Sequence, residues 1–112
     1  MRLFILFLML IGFSVSTFSQ TMSVGTIKAI RTGLNSEQFT IVTNEQYQNP
    51  AGCFKPDGYV ADSSHKGYYT YYAAALMAFM ERSQIAVTIS NKPGDCINGR
   101  PRLIGINLQR GK

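Results

Sequence analysis

Hydrophobic and polar positions alternate most clearly in two stretches. Phe39 and Ile41 fall between Gln38 and Thr40, and Ile85, Val87 and Ile89 are interleaved with Ala86, Thr88 and Ser90. A period of two is what a half-buried strand requires, and it predicts strands over 38–43 and 85–90. Three further strands are predicted: Val24 to Thr32, rich in β-branched residues and ended by the turn residues Gly33-Leu34-Asn35-Ser36, then Tyr59 to Ala61, then Leu103 to Leu108. The first two in chain order should pair as a hairpin. From Tyr68 to about Arg82 the period changes. Tyr69, Tyr72, Ala73, Leu76, Phe79 and Met80 recur at spacings of three and four, which predicts one amphipathic helix. Ala73, Ala74, Ala75 and Ala78 keep its middle slim, and Asp62-Ser63-Ser64 ahead of it offers side-chain oxygens to cap its start. Residues 44–58, with Pro50, Gly52, Pro56 and Gly58, should be irregular, and 91–101 reads as a turn-rich connection.

The N-terminus follows another pattern. Arg2 precedes an apolar run from Leu3 to Phe13, broken only by Gly12, and small or polar residues follow from Ser14 to Ser19. That order is expected of a secretory signal peptide over 1–19, with Thr17 and Ser19 at positions −3 and −1 of the cleavage site. The run is shorter than the roughly 20 apolar residues that cross a bilayer. Residues 20–112 are then a single exported domain, secreted or periplasmic, with no membrane span in its mature form.

At 112 residues the chain lacks room for a two-domain enzyme or a nucleotide-binding α/β sheet. Its net charge of +5 includes Arg2 and comes in no consecutive basic block, so nucleic acid is a disfavoured partner. Cys53 and Cys96 are the only cysteines. In an oxidising compartment they should form one disulfide, whose loop closure is worth roughly 4 kcal/mol in the chain-entropy model. A metal site would want more ligands than these two and His65, and a redox pair usually has C-x-x-C spacing.

The element order β-β-β-α-β-β describes a mainly β chain with one helix. A five-stranded OB-fold-like Greek-key barrel, its helix plugging one end, suits that order and length. The competing layout is a helix lying across an open antiparallel sheet. The leader, the short mature length, the strand-helix-strand order and one long-range disulfide resemble the B subunits of bacterial AB5 toxins, above all the subtilase cytotoxin and pertussis type. Asn49-Pro50-Ala51-Gly52-Cys53, the tyrosine and alanine helix, Asp95-Cys96-Ile97-Asn98-Gly99-Arg100-Pro101 and Leu103-Ile104-Gly105-Ile106 are also similar to a group of small exported bacterial proteins of unknown role. The likeness to the toxins implies a ring-forming homo-oligomer, a pentamer by analogy, that binds cell-surface glycan. It brings no sugar-binding motif with it.

Catalytic chemistry finds little footing. His65 is the only imidazole, and its neighbours Asp62, Ser63 and Ser64 lie along one turn, where side chains seldom converge. The spacing of Asp57, Asp62, Glu81 and Asp95 places no two carboxylates together, and no phosphate-binding glycine loop occurs. The expectation is a non-enzyme with neither cofactor nor metal. If the barrel forms, Gln38 and Thr40 should face outward from the second strand, and Lys92, Asp95, Asn98 and Arg100 should crowd the last connecting loop as hydrogen-bonding groups for a ligand. The helix tyrosines serve either as a ligand platform or as packing at the core edge. An exported glycan-binding module is the first functional expectation. The alternative is a periplasmic or cell-surface protein-interaction or structural factor, docking through an open strand edge or the tyrosine face.

Overall fold

The structure, a computed structural model, describes residues 20–33 and 37–109. The expected leader over 1–19 lies outside them. The chain is mainly β with one helix: β1 (Gln20–Thr32), β2 (Gln38–Thr43), β3 (Tyr59–Asp62), α1 (Tyr68–Glu81), β4 (Gln84–Ser90), β5 (Cys96–Ile97), β6 (Arg100–Pro101) and β7 (Leu103–Gln109). A five-stranded antiparallel sheet runs in the order β3-β2-β1-β4-β7, and β5 and β6 form a separate two-stranded ribbon. The edge strand β3 also meets the opposite end of the sheet through one parallel bridge between Val60 and Arg102.

β1 is longer than the sequence suggests. Its first part, Gln20 to Thr26, pairs with β4, and Ile27 to Thr32 pairs with β2. The register slips between Ile27 and Ala29, which leaves Lys28 as an extra residue where the strand passes from one partner to the other. Alternation fails to mark residues 20–23 because it is pairing with β4 that makes them a strand.

One face of the sheet carries Ile27, Phe39, Ile41, Tyr59, Ala61, Ile85, Val87, Ile89 and Leu103 into a single core, which the helix covers. The helix covers it with a face other than the expected one. Tyr68, Ala75 and Ala78 are buried, and Tyr71 and Tyr72 pack against the core. Ala73, Leu76, Phe79 and Met80 of the expected stripe are exposed, Met80 at 75%. Apolar residues circle most of this helix, so two stripes compete at helical spacing. The one carrying Ala75 and Ala78 lets the helix axis approach the sheet most closely, and Tyr71 locks that choice by donating its hydroxyl to the Ile104 carbonyl at 2.6 Å.

The Asp62-Ser63-Ser64 cap does not form either. Gly67 stands at the helix start with no side-chain cap, and a turn separates it from Asp62, whose carboxylate accepts from the Ser64 hydroxyl and from Arg102. The helix ends on Arg82 in the left-handed region, φ 56°.

The irregular segment 44–58 is tightly tied. Cys53 and Cys96 form the expected disulfide, with Cα atoms 5.8 Å apart. The Asn49 side chain accepts from the Cys53 N–H and donates to the Cys53 carbonyl, both at 2.8 Å. The Tyr59 hydroxyl accepts from the Gln48 N–H at 2.8 Å. On the far side of the disulfide, the connection 91–101 contains the β5–β6 hairpin. Asn98 (φ 53°) and Gly99 (φ 80°) form its two-residue turn, the pair that a type I′ hairpin prefers. A Cβ at residue 99 would also press on the Phe54 ring at 2.8 Å, so glycine is needed there twice over.

Candidate functional site

The six expected ligand residues are not brought together. Gln38 and Thr40 lie on the outer side of β2 as period two requires, yet both are buried. A Cβ on Gly58 would stand 2.7 Å from Thr40 Cγ2 and 3.9 Å from Arg100 Cδ. The backbone leading into β3 and the stem of Arg100 therefore lie over Thr40 and close it to a ligand. Asp95 and Arg100 are engaged inside the protein: Arg100 Nε donates to Asp57 at 2.6 Å, and Arg102 Nε donates to Asp95 at 2.7 Å. Asn98 serves the hairpin turn. Lys92 is exposed and makes no ion pair among the described residues.

Arg102, which no sequence pattern singles out, is the hub of this face. It also reaches Asp62 at 3.3 Å, so one guanidinium joins the end of β3 to the loop before β5. Burial raises the Asp95 carboxyl, but hydrogen bonds from Ser90 and Arg102 and the Arg102 charge outweigh it and hold it below its ordinary value. Asp62 follows the same balance through Ser64 and Arg102. Carboxylates depressed in the folded state contribute stability that is full above their unfolded values near ~3.9 and is lost as the pH falls through the native ones. The melting temperature of the wild type should therefore drop steeply below about pH 4. Arg102→Leu should cost roughly 1–3 kcal/mol at neutral pH and flatten that acid limb. A scan of thermal unfolding against pH for both proteins checks this, and parallel curves would remove Arg102 from the explanation.

Elsewhere a cavity of about 310 Å³ lies between the sheet and the start of the helix. Thr32 and Gly33 at the end of β1, Glu37 and Gln38 at the start of β2, and Tyr68, Tyr69 and Tyr72 of α1 line it. Phe39 positions the tyrosines from below: its ring centroid lies 5.6 Å from that of Tyr68 and 5.1 Å from that of Tyr72. Tyr68 and Tyr69 meet edge to face at 4.8 Å. Tyr69 donates its hydroxyl to Glu37 Oε1 at 3.1 Å, and that bond raises the Tyr69 phenol above its ordinary value. Burial raises Tyr68.

Gln38 is 6% exposed, and its Nε2 has no hydrogen-bond partner among the described residues. A buried amide left unpaired costs about 1–3 kcal/mol. Within the described residues no group of three or more His, Cys, Asp or Glu could hold a metal ion, and no helix is long and apolar enough to cross a membrane. The cavity offers an aromatic wall and one carboxylate. Compared with known proteins, the chain matches no family model, no curated protein and no solved structure.

Proposed function

We propose that the protein is an exported, non-catalytic binding module whose ligand is a glycan. The observation that carries this reading is the cavity walled by Tyr68, Tyr69 and Tyr72 and lined also by Glu37, because apolar and aromatic walls with a few converging polar groups are how proteins hold small ligands. The strand order and the Val60–Arg102 bridge favour a sheet that closes as an OB-type barrel, an architecture used for oligosaccharide recognition. The apolar run at the N-terminus and the disulfide favour export. A ring of subunits like that of the toxin B subunits belongs to the same reading, and it rests on likeness of layout. A glycan array with the purified protein, run beside light scattering on a sizing column, tests both parts. Binding to defined sugars by an oligomer is the expected result. A monomer silent on every sugar would end the proposal.

A second reading has its own observation. Leu76, Met77, Phe79 and Met80 form an exposed apolar face on the outer side of α1. Such a face favours a protein-interaction factor of the periplasm or cell surface. Capture of one envelope protein that is lost on Met80→Glu, with the fold intact, would decide for it.

A further inference from the structure

We infer that the outer edge of β7 is a self-association seam, on which residues 105–109 of a second copy of this chain pair antiparallel about a two-fold axis through Asn107. The inference goes beyond the glycan reading and does not need it. The five-stranded sheet has two edge strands, β3 and β7. At the β3 edge Val60 bridges to Arg102, and Arg102 binds Asp62 at the strand's end. Among the described strands β7 pairs with β4 alone, so alternate N–H and C=O groups of 105–109 meet no strand on their outer side. Proteins usually guard such an edge with lysine, proline or a bulge. Gly105-Ile106-Asn107-Leu108-Gln109 carries no charge and no proline, and the one irregularity in its pairing with β4 lies before it, at Ile104.

The occupant follows from the sequence of this edge. A two-fold axis through Asn107 sets Ile106 opposite Leu108 of the second copy, Gly105 opposite its Gln109, and Asn107 opposite itself. Each apolar residue thus meets an apolar one, and no like charges face each other although the chain carries a net charge of +5. Ile106 and Leu108 pair with the core residues Val87 and Ile85, which puts them on the face of the sheet that the helix covers. The cover is incomplete there. Leu108 is 45% and Met77 of α1 is 55% exposed, and with Glu81, Ser83 and Gln109 they line a hollow of about 430 Å³. Ile106 of the second copy, seated opposite Leu108, extends the apolar cover along this margin. On the other face Asn107 is exposed, and an amide that both donates and accepts can bond to its own symmetry mate. A foreign strand would have to match this spacing with no charge to guide it, whereas a second copy matches it by symmetry. Two-fold pairing closes at two copies, and a five-membered ring would use other surfaces.

Sedimentation equilibrium of the purified protein from about 10 µM to 1 mM, with amide hydrogen exchange at both ends of that range, tests this. A monomer–dimer equilibrium is expected, with protection of 105–109 rising as the dimer fills. Asn107→Lys and Asn107→Glu each set like charges face to face on the axis and should weaken the dimer about tenfold or more. Their melting temperatures at low concentration should stay within a few degrees of wild type. Mixing the two variants should restore a dimer, because opposite charges then meet, and only a seam centred on residue 107 gives that rescue. Met80→Lys, on the outward face of α1, should leave the dimer unchanged. A monomer throughout the range overturns the inference, and sugar binding by that monomer would leave the glycan reading standing. An assembly that leaves 105–109 open to exchange, survives Asn107→Lys or fails to re-form from the mixed variants overturns it equally.

Discussion

Replacing Cys53 and Cys96 together by alanine is expected to lower the melting temperature by roughly 15–25 °C. The estimate follows from a cross-link of sequence separation 43, worth roughly 4 kcal/mol through the loop it closes, in a domain too small to hold much stability in reserve. The loss should also be local. The disulfide and the bonds Gly94 N–H to Ala51 carbonyl (2.9 Å) and Lys55 N–H to Gly99 carbonyl (2.8 Å) hold segment 44–58 against the β5–β6 ribbon. Without the sulfur bridge, the Asn49, Ala51 and Lys55 contacts remain as weak ties, and limited proteolysis should cut first between residues 50 and 58. A variant that melts within a few degrees of wild type would show that the hydrogen bonds alone fix this segment.

Phe39→Ala is expected to cost about 3–5 kcal/mol, the range for emptying a buried aromatic site. Phe39 is fully buried and touches both Tyr68 and Tyr72, so it is the floor on which the start of the helix rests. Its removal should reduce the near-ultraviolet circular dichroism of the tyrosines. The control is Met80→Ala on the outward face of the same helix. Truncating that 75% exposed side chain should change stability by no more than about 0.5 kcal/mol. Urea unfolding of the two variants measures which face of the helix the core uses. Equal losses would return the helix to the orientation that its sequence periodicity first suggests.

The contrast between these two variants marks where sequence patterning stops being informative. The positions of β2, β4 and α1 are legible because their periods are clean, and the disulfide is legible because the chain's two cysteines have one obvious partner each. The buried side of α1 is not legible. Tyr68, Tyr71, Ala75 and Ala78 recur at helical spacing as well as Tyr69, Leu76 and Met80 do, and the sheet selects the slimmer set, with Tyr72 at the edge of the buried face. The β5–β6 hairpin is half visible: Asn98-Gly99 is a strong turn signal, but Pro101 and Arg100 beside it give no alternation. At Gln38 and Thr40 the parity of the strand is right and the inference from it fails, because whether an outward face meets solvent depends on loops folded over it from elsewhere. The cavity was foreshadowed only by the tyrosines and by Gln38. Glu37 drew no notice, since its role appears when the β1–β2 connection brings it beside Tyr69.

The division of β1 between two partners sets the order in which the molecule assembles. Residues 27–32 find β2 a short way along the chain, and β3 follows, so a three-stranded meander can close early in folding. The first half of the same strand must wait, a ribbon with bare amides along its length, until Gln84–Ser90 emerges from the far half of the chain. Non-local pairing of this kind is slow. Until it is complete, residues 20–26 offer an open template to any passing strand.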